Sequence, residues 1–293
     1  MSDAVILIIM LMKRKTFRQI ACQITSFAIH MHISKAKLRN IACETKRICF
    51  RLLFGHIVIA LSTLLLLIFD RYNAVLYFRA YTLNLVNDAL LQQYSALVLL
   101  LAAVVIFMWI STSMLFVSFY SSVCIFLSSI IDTFSERVEM IKSDEFRELM
   151  DFINYMEMII RYIDRNLSLL AFVTFLNVLG VCINAAIEIA LSTLFTALVE
   201  GHKVIYFLYS FNLSLQLVMR AADVDDVGRH LRLLGHNIPW KQPQFTELRF
   251  LLIMRLKNMK TTLTLWRTWS FNKNFLLTYC SALLSYFIIL ISL

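Results

Sequence analysis

The sequence predicts an all-α fold, a polytopic bundle of membrane helices, and three observations carry that prediction. Hydrophobic residues make up 60% of the chain and charged residues 16%, with a mean hydropathy of +0.73, more apolar surface than one soluble core can hide. The apolar stretches are long and continuous rather than alternating in short segments, which selects helices over a barrel, because backbone groups in lipid must be satisfied within each span. Only 5 Gly and 2 Pro punctuate the chain.

Residues 1–51 come first, as a basic N-terminal segment. Ala4 to Met12 is too short to cross a bilayer, and Lys13, Arg14, Lys15 and Arg18 follow it at once. A cleaved signal peptide carries its basic residues before the apolar core, so this is not one.

Residues 52–293 form the transmembrane domain. Five spans meet or approach the roughly 17 to 25 apolar residues that a crossing needs: Leu52 to Phe69, a stretch within Tyr94 to Ile131, a stretch within Leu167 to Val199, Val204 to Met219, and Asn274 to Leu293. The second run holds no charge, Pro or Gly, so it reads as one helix projecting beyond the hydrocarbon. Val204 to Met219 is short, and Lys203 and Arg220 at its ends are placed to snorkel to the two interfaces. Between the spans, residues 132–166 and 220–273 read as cytosolic helical extensions. Phe146, Leu149, Met150, Ile153 and Met156 recur at helical spacing in the first; Pro239 and Pro243 break the second, which resumes at Phe245.

Charge placement orients this map. Of the 28 Lys and Arg, 25 fall in alternate non-membrane segments, and the positive-inside rule puts those segments, with the N-terminus, in the cytoplasm. The net charge of +9 then reads as contact with anionic inner-leaflet lipid and not with nucleic acid. The six cysteines fall in cytosolic or intramembrane positions and predict no disulfide framework.

Polar residues inside the spans are the candidate functional groups. Thr174, Asn177, Asn184, Glu188 and Ser192 share one helix face, and Glu188 is the sole acidic residue within an apolar run. An intramembrane carboxylate is a functional-site hypothesis by default; the competing use is hydrogen bonding between helices, at about 0.6 kcal/mol each. Both readings stand for Glu188, whereas packing is favoured for Thr174 and Asn177. Tyr206, Tyr209, Asn212 and Gln216 line a comparable face of the fourth span, and Trp109 sits in the second; such groups suit small polar organics and helix packing alike.

Other apparent motifs carry less. The sequons at Asn166 and Asn212 fall in a cytosolic and an intramembrane position. His30 and His32 have no third ligand nearby, and Asp223, Asp225 and Asp226 form a single acidic cluster at a solvated helix end. There is no Gly-rich phosphate loop, nucleophile elbow or zinc helix motif, so no catalytic residue, metal or cofactor is expected and the chain is not read as an enzyme.

The end of the chain carries a family resemblance. Ser285, Tyr286, five apolar residues, Ser292 and Leu293 resemble the TYhhhhhQF signature of the insect gustatory receptors, with Ser for Thr, Ser for Gln and Leu for Phe; upstream, Phe271, Asn272, Phe275, Leu276 and Leu277 match the opening of that family's final helix. The resemblance implies seven helices in the full family, so this chain looks N-terminally short, with Ala4 to Met12 as a remnant of the second. It implies a plasma-membrane chemoreceptor, a ligand-gated cation channel subunit for small tastants, whose cytosolic extensions join four like or related subunits around a pore. Asn184, Glu188, Tyr209 and Asn212 are then the ligand-binding candidates, in the outer half of the bundle. Ser285, Ile289 and Ser292 are the pore-lining candidates. The alternatives are a non-conducting assembly subunit, or an unrelated transporter or prenyltransferase.

Overall fold

Helix length decides the architecture. The computed structural model describes residues 2–31, 33–69, 88–139, 146–191, 197–237, 246–265 and 269–292. Its helices, in chain order, are α1 (Ser2–Met12), α2 (Arg14–His30), α3 (Lys35–Phe69), α4 (Asp88–Glu139), α5 (Phe146–Leu191), α6 (Ala197–Asn237), α7 (Thr246–Asn258) and α8 (Lys273–Ser292). A two-stranded antiparallel ribbon, Thr264–Leu265 against Trp269–Ser270, leads into α8. The 52 residues of α4 are one unbroken helix, as its lack of Pro and Gly predicts, and span about 78 Å at 1.5 Å per residue. A bilayer core is about 30 Å thick, so α4 projects well beyond it. Four stretches among the described residues are long and apolar enough to cross a membrane, Lys35–Leu66, Ser111–Val138, Arg147–Ile189 and Ala197–Leu234, which makes this a multi-pass membrane protein. The expected fifth span is α8; the side chains of its last residues, Ser292 among them, lie outside the described residues, as do Ser192, Pro239, Pro243 and the side chain of Trp109.

The helices run in alternating directions, which the cross-contacts fix. Going along α3, Lys37 meets Asp132 and Glu136 of α4, Glu44 meets Arg220 of α6, His56 meets Ser111 and Ser62 meets His202. Thus α3 is antiparallel to both α4 and α6. Helix α6 sits at the centre, packed against α3, α4 and α5. Two ends follow: a basic end, holding the turn into α3 and the lower halves of α4, α5 and α6, and a far end, where α5 hands over to α6.

The first fifty residues are built into this bundle. The i to i−4 hydrogen bonds Lys13 N to Ile9 O and Phe17 N to Lys13 O carry α1 into α2 with little change of direction. Helix α2 runs parallel to α4 and antiparallel to α5. Phe17 meets Phe119 at 4.8 Å, and further along Phe27 and Phe134 stack on Phe152 at 4.7 and 5.1 Å. Above them α1 continues along α4 and α5, with Ile6 fully buried. Aromatic faces of this kind add about 0.5 to 1.5 kcal/mol per pair beyond the area they bury.

Candidate functional site

At the far end an open cleft of about 480 Å³ runs along α5, lined by Val173, Leu176, Asn177, Gly180, Val181 and Asn184, with Tyr206 of α6 as its wall. The seven-residue step from Asn177 to Asn184 is two helical turns, which puts both amides on the cleft. Gly180 between them leaves space that a Cβ would enter without contact. Asn177 Nδ2 also reaches Ser113 Oγ of α4 at 3.3 Å. Thr174, which shares their stripe, is fully buried below.

Above the cleft the polar groups become charged. Asn184 Nδ2 donates to Glu188 Oε1 at 2.7 Å, so the two residues that sequence spacing paired are in contact. Lys203 comes in from α6. It is only 2% exposed, and its Nζ donates to the Glu188 carbonyl oxygen at 3.4 Å and pairs with Glu200 Oε1 at 3.3 Å. The expected snorkelling is therefore not what this side chain does. Glu200 one turn back gives it a partner, and a long apolar stem fits the seam between α5 and α6. Its neighbour His202 is buried and shares a hydrogen bond of 2.9 Å with Ser62 Oγ of α3. Sequence reasoning gave Lys203 only an interfacial role and passed over His202; their place beside an apolar run, three and two residues after Glu200 on the same helix, was the available signal.

The other two ligand candidates lie away from the cleft. Tyr209 is buried against α3, where its hydroxyl donates to the Leu52 carbonyl at 3.3 Å and its ring occupies the space over Gly55. A Cβ at Gly55 would come within 2.6 Å of that ring, so the glycine is what lets α3 and α6 approach. Asn212 is half-buried nearly a turn nearer the basic end.

From the cleft a chain of contacts leads to α8. Phe175, on α5 beside Leu176, meets Tyr279 at 5.3 Å and Phe275 at 5.6 Å. The buried Tyr279 hydroxyl shares a 2.6 Å hydrogen bond with Ser214 Oγ of α6. The opposite face of α8, with Leu277, Ser281, Leu284, Ser285, Ile288 and Ile289, is exposed in the single chain.

At the basic end the three clustered aspartates are each paired. Asp223 meets Arg220, Asp225 meets Arg229, and Asp226 meets Lys273, so the acidic cluster fastens α6 to itself and to α8. Among the described residues no group of three His, Cys, Asp or Glu is placed to hold a metal ion.

No protein-family model matches the chain, and no curated protein matches it in sequence. Among solved structures it is similar to the insect olfactory receptor OR5 from Machilis hrabei, with a TM-score of 0.75 and 15% identity over 99% of this chain and 77% of that one. The same receptor in complex with eugenol gives a TM-score of 0.69 and 17% identity over 88% of this chain and 68% of the other. The all-α membrane bundle expected from the sequence is thus the one found. The chain has the fold of an insect olfactory receptor.

Proposed function

We propose that the chain is a chemoreceptor subunit of a ligand-gated cation channel, set in the plasma membrane with its basic end in the cytoplasm, and that small tastants open it. The observation that carries this reading is the unbroken path from the far-end cleft through Phe175 to Tyr279 and α8. A ligand that fits the cleft better in one arrangement of α5 and α6 shifts the population of α8 positions by its difference in affinity. The cleft walls are largely apolar with two amides, and Glu188 lies just above. That chemistry suits a small organic molecule with one or two hydrogen-bonding groups, a class to which eugenol, bound by the similar receptor, belongs.

Asn184 and Glu188 are the contacts we assign to the ligand, with Tyr209 and Asn212 acting behind the cleft on the fit of α6. Four copies, or copies of related subunits, place the exposed face of α8 around a common axis. Ser285, Ile289 and Ser292 then line a pore in which small hydroxyls alternate with aliphatic groups, an arrangement that gates by dewetting. Small residues on that face also permit close helix approach.

The test is cation current in a heterologous cell challenged with small polar and phenolic compounds. Cysteine at 285 or at 289 is expected to make the current sensitive to an external thiol reagent, while cysteine at Leu283, on the half-buried side, leaves it insensitive. Normal current with both exposed positions insensitive removes α8 from the pore. Abundant surface protein without current, alone or with related subunits, leaves an assembly subunit that does not conduct.

A further inference from the structure

The stripe that continues from α1 into α2 changes chemistry abruptly along its exposed face. Val5, Ile8 and Met12 are 45%, 55% and 79% exposed, an apolar strip with no protein over it. One turn further the same face presents exposed Lys15, with exposed Arg14 and Arg18 beside it. The helical hydrogen bonds through Lys13 keep the two halves in phase, so this is one surface and not two.

A second helix adds to the charge. Gln19 Oε1 accepts from Tyr162 Oη at 2.9 Å, and Lys13 Nζ donates to the Asn166 carbonyl at 2.7 Å, which fixes the antiparallel register of α2 on α5. Lys15, one turn above Gln19, is therefore level with exposed Arg165, one turn above Tyr162. Among the described residues no ion pair joins Arg14, Lys15, Arg18 or Arg165 to a carboxylate. The carboxylates of α5 nearest this level are engaged elsewhere, Glu157 with Arg161 and Arg255, and Asp164 with the backbone and hydroxyl of Thr264. Burial lowers the pKa of Lys13, and among the described residues no carboxylate offsets that cost. Like charges gathered at one level of the surface attract an anion.

An apolar strip ending in an uncompensated cation cluster has the shape of a lipid. We infer that the seam between α2 and α5 is a binding site for an anionic phospholipid, its acyl chains along Ile8 and Met12 of α1 and its headgroup among Arg14, Lys15, Arg18 and Arg165. Affinity rises with headgroup charge, because each cation near the surface contributes on the order of a fivefold factor. This inference stands on the membrane fold alone, and neither a conducting pore nor a tastant is needed for it.

The experiment is fluorescence anisotropy on the purified full chain in neutral detergent, with a labelled short-chain phosphatidylinositol bisphosphate as probe. Short-chain phosphatidylserine, phosphatidylcholine and free inositol trisphosphate serve as competitors. The bisphosphate lipid is expected to bind tightest, then phosphatidylserine, with phosphatidylcholine inert and inositol trisphosphate at least about tenfold weaker than its lipid. The triple variant Arg14→Gln/Lys15→Gln/Arg18→Gln is expected to lose about a hundredfold and Arg165→Gln, on the other helix, about fivefold. Ile8→Ser/Met12→Ser weakens the lipid but not inositol trisphosphate. Lys46→Gln/Arg47→Gln, equally exposed cations on α3, changes affinity by less than about twofold, and all variants keep the wild-type elution profile. Wild-type affinity in both α2 and α5 charge variants overturns the site. Equal loss in the α3 control overturns it in favour of general surface charge, and equal affinity for inositol trisphosphate overturns it in favour of a free phosphate.

Discussion

The two ends of the bundle are held together by different physics. At the basic end, long polar side chains bridge separate helices: Arg255 of α7 reaches both Asn154 and Glu157 of α5 at 2.7 and 2.9 Å, and Arg232 of α6 reaches Thr261 at 2.8 Å. Aromatic stacks join α2, α4 and α5 at the same end. At the far end an open cleft interrupts the packing, many large apolar side chains of α3 such as Leu61 and Leu64 face outward, and the polar groups hold one another around a cavity. A region cross-braced by directional bonds resists rearrangement, whereas one with open space beside its bonds can settle into more than one packing. The difference assigns cohesion to the basic end and responsiveness to the far end.

Glycine gives the sharpest way to break that comparison. A Cβ at Gly228, on α6, would lie 2.1 Å from Thr261 Oγ1 and within 2.6 Å of the rest of that side chain. Thr261 is itself fully buried and held by Arg232, so it has nowhere to go. We expect Gly228→Val to cost about 3 kcal/mol and to abolish the monodisperse peak in fluorescence size-exclusion. Gly180→Ala, in the open cleft, is expected to leave that peak unchanged. Equal tolerance of both changes would remove the contrast between the ends.

The second test removes a brace without adding bulk. Glu157 has a side chain only 5% exposed and pairs with Arg161 and Arg255, whose side chains are 65% and 38% exposed. Because those guanidinium groups can turn to water, Glu157→Gln should cost about 1 to 2 kcal/mol, less than a fully buried pair would. A lowered thermal midpoint with unchanged ligand response per channel is the expected result. Next in size is Tyr279→Phe, which deletes the buried hydrogen bond to Ser214 at about 1 kcal/mol and loosens α8 from α6. Here the response should shift more than the midpoint, since the ring contacts with Phe175 remain.

How much of this was legible beforehand follows the same division. Long uncharged runs gave the helices, and the lack of Pro and Gly gave the continuity of α4, because hydropathy and turn chemistry are local properties. Helix periodicity put Asn184 and Glu188 in contact, again within one helix. What no local pattern reports is which face of one helix meets which face of another. Tyr209 was grouped with the pocket because it shares a stripe with Tyr206, yet a glycine 154 positions earlier, Gly55, draws its ring to α3. Lys203 was read as a membrane-edge residue because its burial depends on the α5 backbone at Glu188. The packing of residues 4–31 into the bundle likewise rests on partners more than 100 positions away, such as Phe152 and Asn166.

Glu188 is the smallest perturbation in stability and the most telling about the far end. Gln keeps the size of the side chain and an oxygen to accept from Asn184, and Lys203 keeps Glu200 and the position 188 carbonyl. Glu188→Gln should therefore change the thermal midpoint by less than the equivalent of about 1 kcal/mol. Only the charge is lost. If that charge orients a ligand's polar group, the concentration for half-maximal current should rise several-fold for ligands bearing a hydrogen-bond donor, since a bond to a charged group contributes about 1.5 to 3 kcal/mol. Ligands without a donor should respond as before. A fall in surface protein with an unaltered dose-response curve for both ligand types would make Glu188 a packing residue like the braces of the basic end, and would move the boundary between the two regions above the cleft.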